Sequence, residues 1–110
     1  MNRIIEIRSY NLKPGTRDAY HKIVIEEAIP MLRHWKMDVV SFGASPQDEN
    51  TYYLIRSFAD LQDMEKSEDA FYGSDEWRQG PRASILEKIE NYAAIVLDVD
   101  ETTLNGLRKP

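Results

Sequence analysis

The chain has 110 residues, 42% hydrophobic and 30% charged, with a formal net charge of −5 and no cysteine. That length makes one domain able to bury its own core, and the composition is that of an ordinary globular protein. The missing cysteine excludes disulfides, a thiol nucleophile and Cys-based metal sites, and the acidic balance disfavours nucleic acid and membrane surfaces as partners.

The opening MNRIIEIRSY lacks the continuous apolar region of a signal peptide. No apolar run approaches the roughly 20 residues that span a bilayer, so a cytoplasmic location is expected. Residues 4–12 alternate, with Glu6, Arg8, Tyr10 and Leu12 on one face and Ile5, Ile7 and Ser9 on the other. Lys13-Pro14-Gly15 is a turn, with Thr16 as N-cap of a helix over 16–35. Tyr20, Val24, Ala28, Met31 and Trp35 form its apolar stripe, and Pro30 should kink or break it by freeing the Glu26 carbonyl.

Residues 38–44 read as a second strand, 45–50 as a polar turn and 51–58 as a third strand. Asp60 caps a helix over 61–72, on which Leu61, Met64, Glu68 and Phe71 share helical spacing. Gly73-Ser74 ends it. Pro81 starts a further helix carrying Ile85, Leu86 and Ile89, and residues 92–99 are the last strand. The acid over 60–76 (seven Asp and Glu against Lys66) reads as a solvated helix face or as a surface for a protein partner.

The order β-α-β-β-α(α)-β implies an α+β fold, the ferredoxin-like split βαβ: a four-stranded antiparallel sheet with helices on one face. The single domain is expected over 1–99, with 100–110 as a C-terminal tail. Ile7-Arg8-Ser9-Tyr10 recurs as Ile55-Arg56-Ser57-Phe58, and the two copies fall on the central neighbouring strands.

Ile5, Ile7, Tyr53 and Ile55 are assigned to the helix side. Glu6, Arg8, Tyr10, Leu12, Tyr52, Leu54, Arg56 and Phe58 then fall on the far side, a set too apolar for water. A second copy packed face to face supplies the cover, giving a homodimeric α+β barrel with a cavity between the sheets. Arg8 and Arg56 against Glu6 leave positive charge for a small anionic or carbonyl-bearing ligand, with Tyr10 and Tyr52 adding hydroxyls. The alternative is that both arginines pair with acids across the dimer. In the ligand reading, Glu6 is an acid/base candidate and the arginines are clamps.

Weaker candidates are His21, on the shoulder of the first helix, and Tyr72 and Trp77, placed to lid a pocket; each has a plainer reading as packing. No metal-ligand spacing and no glycine-rich phosphate loop is present, so no metal or cofactor is expected. The string Leu97-Asp98-Val99-Asp100-Glu101-Thr102 resembles the first motif of haloacid-dehalogenase-like phosphatases. That chemistry needs further carboxylates and a lysine downstream, and only ten residues follow Asp100, so a strand end with a capping turn is preferred.

Three stretches in order resemble the NIPSNAP family: Glu6-Ile7-Arg8-Ser9-Tyr10-Asn11-Leu12-Lys13-Pro14-Gly15, Asn50-Thr51-Tyr52-Tyr53-Leu54-Ile55-Arg56-Ser57-Phe58 and Glu68-Asp69-Ala70-Phe71-Tyr72-Gly73-Ser74-Asp75-Glu76-Trp77-Arg78. The likeness covers residues 4–99. It implies a dimeric α+β barrel and no defined catalytic set. The mitochondrial and vesicle-traffic role of animal members is not carried over, since no targeting extension is recognised. The same barrel superfamily includes metal-free monooxygenases of aromatic substrates, an analogy of fold alone, and their Asn-Trp-His set is not recognisable here.

Overall fold

The computed structural model describes residues 2–108. The alternating start forms β1 (Asn2–Leu12), which pairs antiparallel with β3 (Thr51–Phe58) on one side and β4 (Ile89–Asp100) on the other. The second strand, β2 (Asp38–Ala44), adds beyond β3, so the sheet order is β2-β3-β1-β4. That is the ferredoxin-like arrangement, with the repeated tetrapeptide on its two central strands.

The first crossover is one helical run in three parts. α1 (Arg17–Ile23) leads into a π-turn (Val24–Ala28), and α2 (Ile29–His34) follows. Pro30 cannot donate to Glu26, and the helix answers by widening rather than breaking. The Ile29 amide bonds back to the Val24 carbonyl. The wide turn shifts the apolar stripe by a residue, so Ala28, Ile29 and Leu32 are buried while Met31 and Trp35 are only half-buried. Thr16 does not cap; its hydroxyl donates to the Lys13 carbonyl at 2.6 Å. Gly15 takes φ +80°, the left-handed conformation that this turn requires.

The second crossover holds α3 (Leu61–Tyr72), α4 (Asp75–Gln79) and α5 (Arg82–Leu86). Asp60 caps α3 by accepting from the Asp63 amide at 2.8 Å. Ser74 caps α4 by accepting from the Trp77 amide at 3.2 Å, which turns Trp77 into the core. Ile89 opens β4 rather than continuing α5.

The two faces of the sheet are exchanged relative to the sequence expectation. Tyr10, Leu12, Tyr52, Leu54 and Phe58 pack against Tyr20, Val24, Leu32, Phe71 and Trp77 of the helices. Ile5, Val40 and Ile55 lie on the opposite face, with Ile7, Tyr53 and Val99 beside them. Alternation sorts side chains into two sets but does not say which set meets the helices. Here both sets are apolar enough to be buried, and the charged residues of the first set find their partners on α3.

Residues after β4 return to that opposite face. Asp100 accepts from the Thr103 amide at 2.7 Å and caps α6 (Glu101–Leu107). The phosphatase-like string is thus a strand end and a cap. Leu104 of α6 is 3% exposed and covers Ile5, Val40 and Ile55. Arg108 then grips Asp38 of β2 with two bonds of 2.8 and 2.7 Å. Leu104→Ala should therefore lower the unfolding free energy by about 2–4 kcal/mol, the range for emptying a buried leucine site. Urea denaturation checks it; an unchanged midpoint would mean that α6 adds nothing to the core.

Candidate functional site

The repeated tetrapeptide places its arginines by register. Ile7 lies opposite Ile55, so Glu6 lies opposite Arg56 and Arg8 opposite Leu54. Glu6, Arg8 and Arg56 therefore share one patch of the helix-covered face, with Tyr10 and Tyr52 opposite each other further along. From above, α3 brings Glu68 and Tyr72, one turn apart, onto the same patch.

Arg56 has no exposure. Its Nη2 donates to Glu6 at 2.7 Å and to Glu68 at 3.0 Å, and its Nη1 donates to the Tyr72 hydroxyl at 3.0 Å. Arg8 is held more loosely. Its Nε stands 3.3 Å from Glu6 and its Nη2 3.6 Å from Glu68, and Nη1 donates to Tyr72 at 3.2 Å. Its Nε, like that of Arg56, is enclosed without a hydrogen-bond partner. The guanidinium carbon lies 5.3 Å from the ring centres of both Tyr72 and Tyr92, distances at which ring quadrupoles attract a cation.

Glu6 and Glu68 lie side by side on the same Arg56 nitrogen, at 2.7 and 3.0 Å. Burial and the adjoining Glu6 carboxyl push Glu68 up to about 7. Burial also works against the Glu6 charge, but the adjoining Glu68 carboxyl and the guanidiniums of Arg8 and Arg56 outweigh it and hold Glu6 below its usual range. Burial pushes the Tyr10 hydroxyl up to about 12 and raises Tyr20 and Tyr52 as well, so all three stay neutral.

Two spaces adjoin the cluster. An inner cavity of about 50 Å³ lies between sheet and helices, walled by aromatic and aliphatic side chains including Tyr20, Ala28, Tyr52 and Phe71. An open groove of about 380 Å³ runs beside β4, lined by Arg8, Tyr92, Arg82 and Leu86. Tyr10, Tyr72, Trp77 and Ile85 line both, so the groove and the cavity share a wall. The π-turn sets Val24 and Ala28 on the cavity wall, and the small Ala28 leaves it room. His21 stands outside this cluster: its Nδ1 is 2.6 Å from the Tyr52 hydroxyl.

The NIPSNAP family model matches residues 5–98. The chain belongs to the NIPSNAP family. A NIPSNAP family protein of unknown function from Agrobacterium tumefaciens aligns with a TM-score of 0.81 at 24% identity, over 88% of this chain and 87% of that one. A second NIPSNAP family protein from that organism reaches 0.83 at 17% identity, over 93% and 90%. A putative antibiotic biosynthesis monooxygenase from Caulobacter crescentus aligns at 0.69 with 15% identity, over 91% and 92%. At these identities the likeness is one of fold. No curated protein matches the sequence.

In this NIPSNAP chain the structure thus gathers Glu6, Arg8, Tyr10, Arg56 and Tyr72 around one spot, while Tyr52 and Trp77 wall the cavity next to it. Sequence reasoning missed Glu68 as a member. Its signal was present: an acid standing between Met64 and Phe71 on the inward spacing of an otherwise acidic helix. It missed Arg82 too, which carries no local signal, since only the fold sets α5 across from β1.

The carboxyl pair makes a pH dependence. A glutamate whose folded pKa rises from 4.5 to about 7 binds its proton more tightly in the folded state. The stability it contributes is complete below 4.5 and is lost as pH rises to about 7. Glu68→Gln keeps a donor for Glu6 and an acceptor for Arg56 without the charge. From about pH 5.5 to about pH 8 the parent chain should lose about 1–2 kcal/mol relative to that variant, allowing for solvent screening. Urea titrations at fixed protein concentration check this; parallel pH profiles would mean that the two carboxyls do not share a proton.

Proposed function

We propose that this chain binds a small anionic or carbonyl-bearing molecule in the space between its helices and its sheet. The observation that carries the reading is Arg8. It is a cation on the wall of a largely apolar groove, and its contacts to the acids, 3.3 and 3.6 Å, are longer than those of Arg56 at 2.7 and 3.0 Å. A guanidinium so placed has capacity for a further acceptor. Rings on the groove and cavity walls offer the remaining contact surface, as in small-molecule sites generally.

A thermal-shift panel of small anions, phenols, quinones and haem tests the reading. A ligand at about 100 times its Kd adds about 2.7 kcal/mol to folded-state stability. We expect at least one such shift, lost in Arg8→Ala. No shift across the panel, or one that survives in Arg8→Ala, overturns the reading. Oxygen uptake with a stabilising phenol would extend it to monooxygenase chemistry, to which the fold likeness of the Caulobacter protein and the aromatic walls lend support.

The homodimer belongs to the same proposal. Ile95 and Leu97 are 57% and 40% exposed, and they lie opposite Ile7 and Ile5 on the face turned away from α1 to α5. With Tyr53 they form an apolar surface that a second copy of the sheet covers. Ile95→Glu should halve the mass seen by light scattering and leave the fold intact, because that side chain lies at the surface of the monomer. A monomeric parent chain, or an unchanged dimer in the variant, counts against this pairing.

A further inference from the structure

The groove carries a second cation. Arg82 on α5 is exposed and lines the same groove as Arg8, and among the described residues it has no ion-pair partner. The groove wall that they share carries Tyr72, Trp77, Leu86 and Tyr92, with the Tyr72 and Trp77 rings edge to face at 80°. Tyr92 is 56% exposed and Leu86 45%, although both are residue types that burial favours. Two guanidiniums in a groove walled by rings match a carboxylate carried on an aromatic body, because a guanidinium fork binds carboxylate with two parallel bonds while the rings take the apolar surface.

Behind Arg8 the charges are nearly balanced. Glu6 of β1, Glu68 of α3 and Arg56 of β3 face it, together with the hydroxyls of Tyr10 and Tyr72; Tyr92 of β4 and Arg82 of α5 stand on the groove side. Two guanidiniums meet two carboxyls that crowd one Arg56 nitrogen, at 2.7 and 3.0 Å. An anion arriving on Arg8 competes with both carboxyls for it and adds a like charge beside them. Each effect favours the protonated form of the pair.

We propose that the groove binds an aromatic carboxylate, its carboxylate between Arg8 and Arg82 and its ring against Tyr92 and Trp77, and that binding draws a proton into the Glu6–Glu68 pair. This rests on the small-molecule reading above and names the ligand class for it. The proton comes from solvent, and no covalent bond to the ligand is made. Arg82 acts as the specificity-determining residue, since it meets only the charged group.

Isothermal titration of the full chain with 2-naphthoate and its neutral counterpart 2-naphthamide tests the proposal. Near neutral pH the acid should bind about tenfold more tightly than the amide, the size of effect expected for a charge-assisted pair. Arg82→Ala, a surface change that leaves the core untouched, should cut that preference about threefold or more and leave the amide unaffected. Repeating the titration in Bis-Tris and in Tris, neither of which is an anion, should give different heats, showing uptake of part of a proton. In Glu68→Gln the acid should still bind and the heats should agree. Equal affinity for acid and amide, or a preference that Arg82→Ala leaves unmoved, overturns the carboxylate site. Heats independent of buffer in the parent chain overturn the proton uptake. If neither naphthalene binds while another member of the thermal-shift panel does, the ligand class is wrong and the small-molecule reading stands; if nothing binds, both fall.

Discussion

The buried charge of Arg56 is the constraint on which the rest of the structure depends. A guanidinium without exposure at the centre of a sheet costs several kcal/mol unless it is paired and hydrogen-bonded. Glu6 comes from the neighbouring strand by register, but it leaves the other side of the fork open. Tyr72 closes it at Nη1 while Glu68 joins Glu6 on Nη2, and both come from α3. The charge therefore fixes how α3 sits. The helix must turn the one face that carries both residues toward the sheet, and its own acidic face toward water. Hydrophobic packing alone does not set such a register, because apolar contacts tolerate a slide that a hydrogen-bonded ion pair does not.

Satisfying Arg56 also decides the character of Arg8. The shortest contacts to both acids, 2.7 and 3.0 Å, go to Arg56. Arg8 reaches the same acids at 3.3 and 3.6 Å and lies between two tyrosine rings instead. Two arginines that look equivalent in sequence thus divide into a lock and a group with capacity to spare. The space next to them has a related cause. Rigid rings gathered round a charged cluster interdigitate less completely than aliphatic chains, and the wide turn at Val24–Ala28 puts a small residue on the opposite wall. π-turns of this kind recur at functional sites.

Much of the fold was legible because its signals are local. Alternation marked β1, strand-forming runs on either side of a polar turn marked β2 and β3, the Asp60 cap and the Gly73-Ser74 stop bounded α3, and the element order led to the sheet topology. What was not legible depends on relations across the chain. The side of the sheet that meets the helices could not be read from β1 or β3, because a charge in a strand looks like a solvent-facing residue until the acid that neutralises it is found on another element. Glu6 and the two arginines were gathered correctly for that reason and placed on the wrong face. α4 is five residues long, too short to show a period, and only Ser74 announces it. The shift of the stripe from Met31 to Leu32 follows from an extra residue in one turn, which no fixed 3.6 spacing contains.

The exchange of faces has a consequence for how function and assembly relate. In the arrangement read from sequence, ligand and second copy share one surface, and the site is complete only in the dimer. In the structure, Glu6, Arg8, Arg56 and their partners on α3 and α5 all belong to one chain and lie on the helix-covered side. The exposed apolar residues Ile95 and Leu97 lie on the other side. The two sheet faces thus carry separate physical roles. One holds charge under a helix layer and borders the groove, and the other presents apolar surface. Three paired strands serve both: β4 turns Tyr92 and Val96 to the groove side and Ile95 and Leu97 away, as β1 turns Arg8 against Ile7 and β3 turns Arg56 against Tyr53. A ligand that presses on Tyr92 and a partner that covers Ile95 would act on the same edge strand from opposite sides, so coupling between occupancy and assembly has a path through the sheet itself.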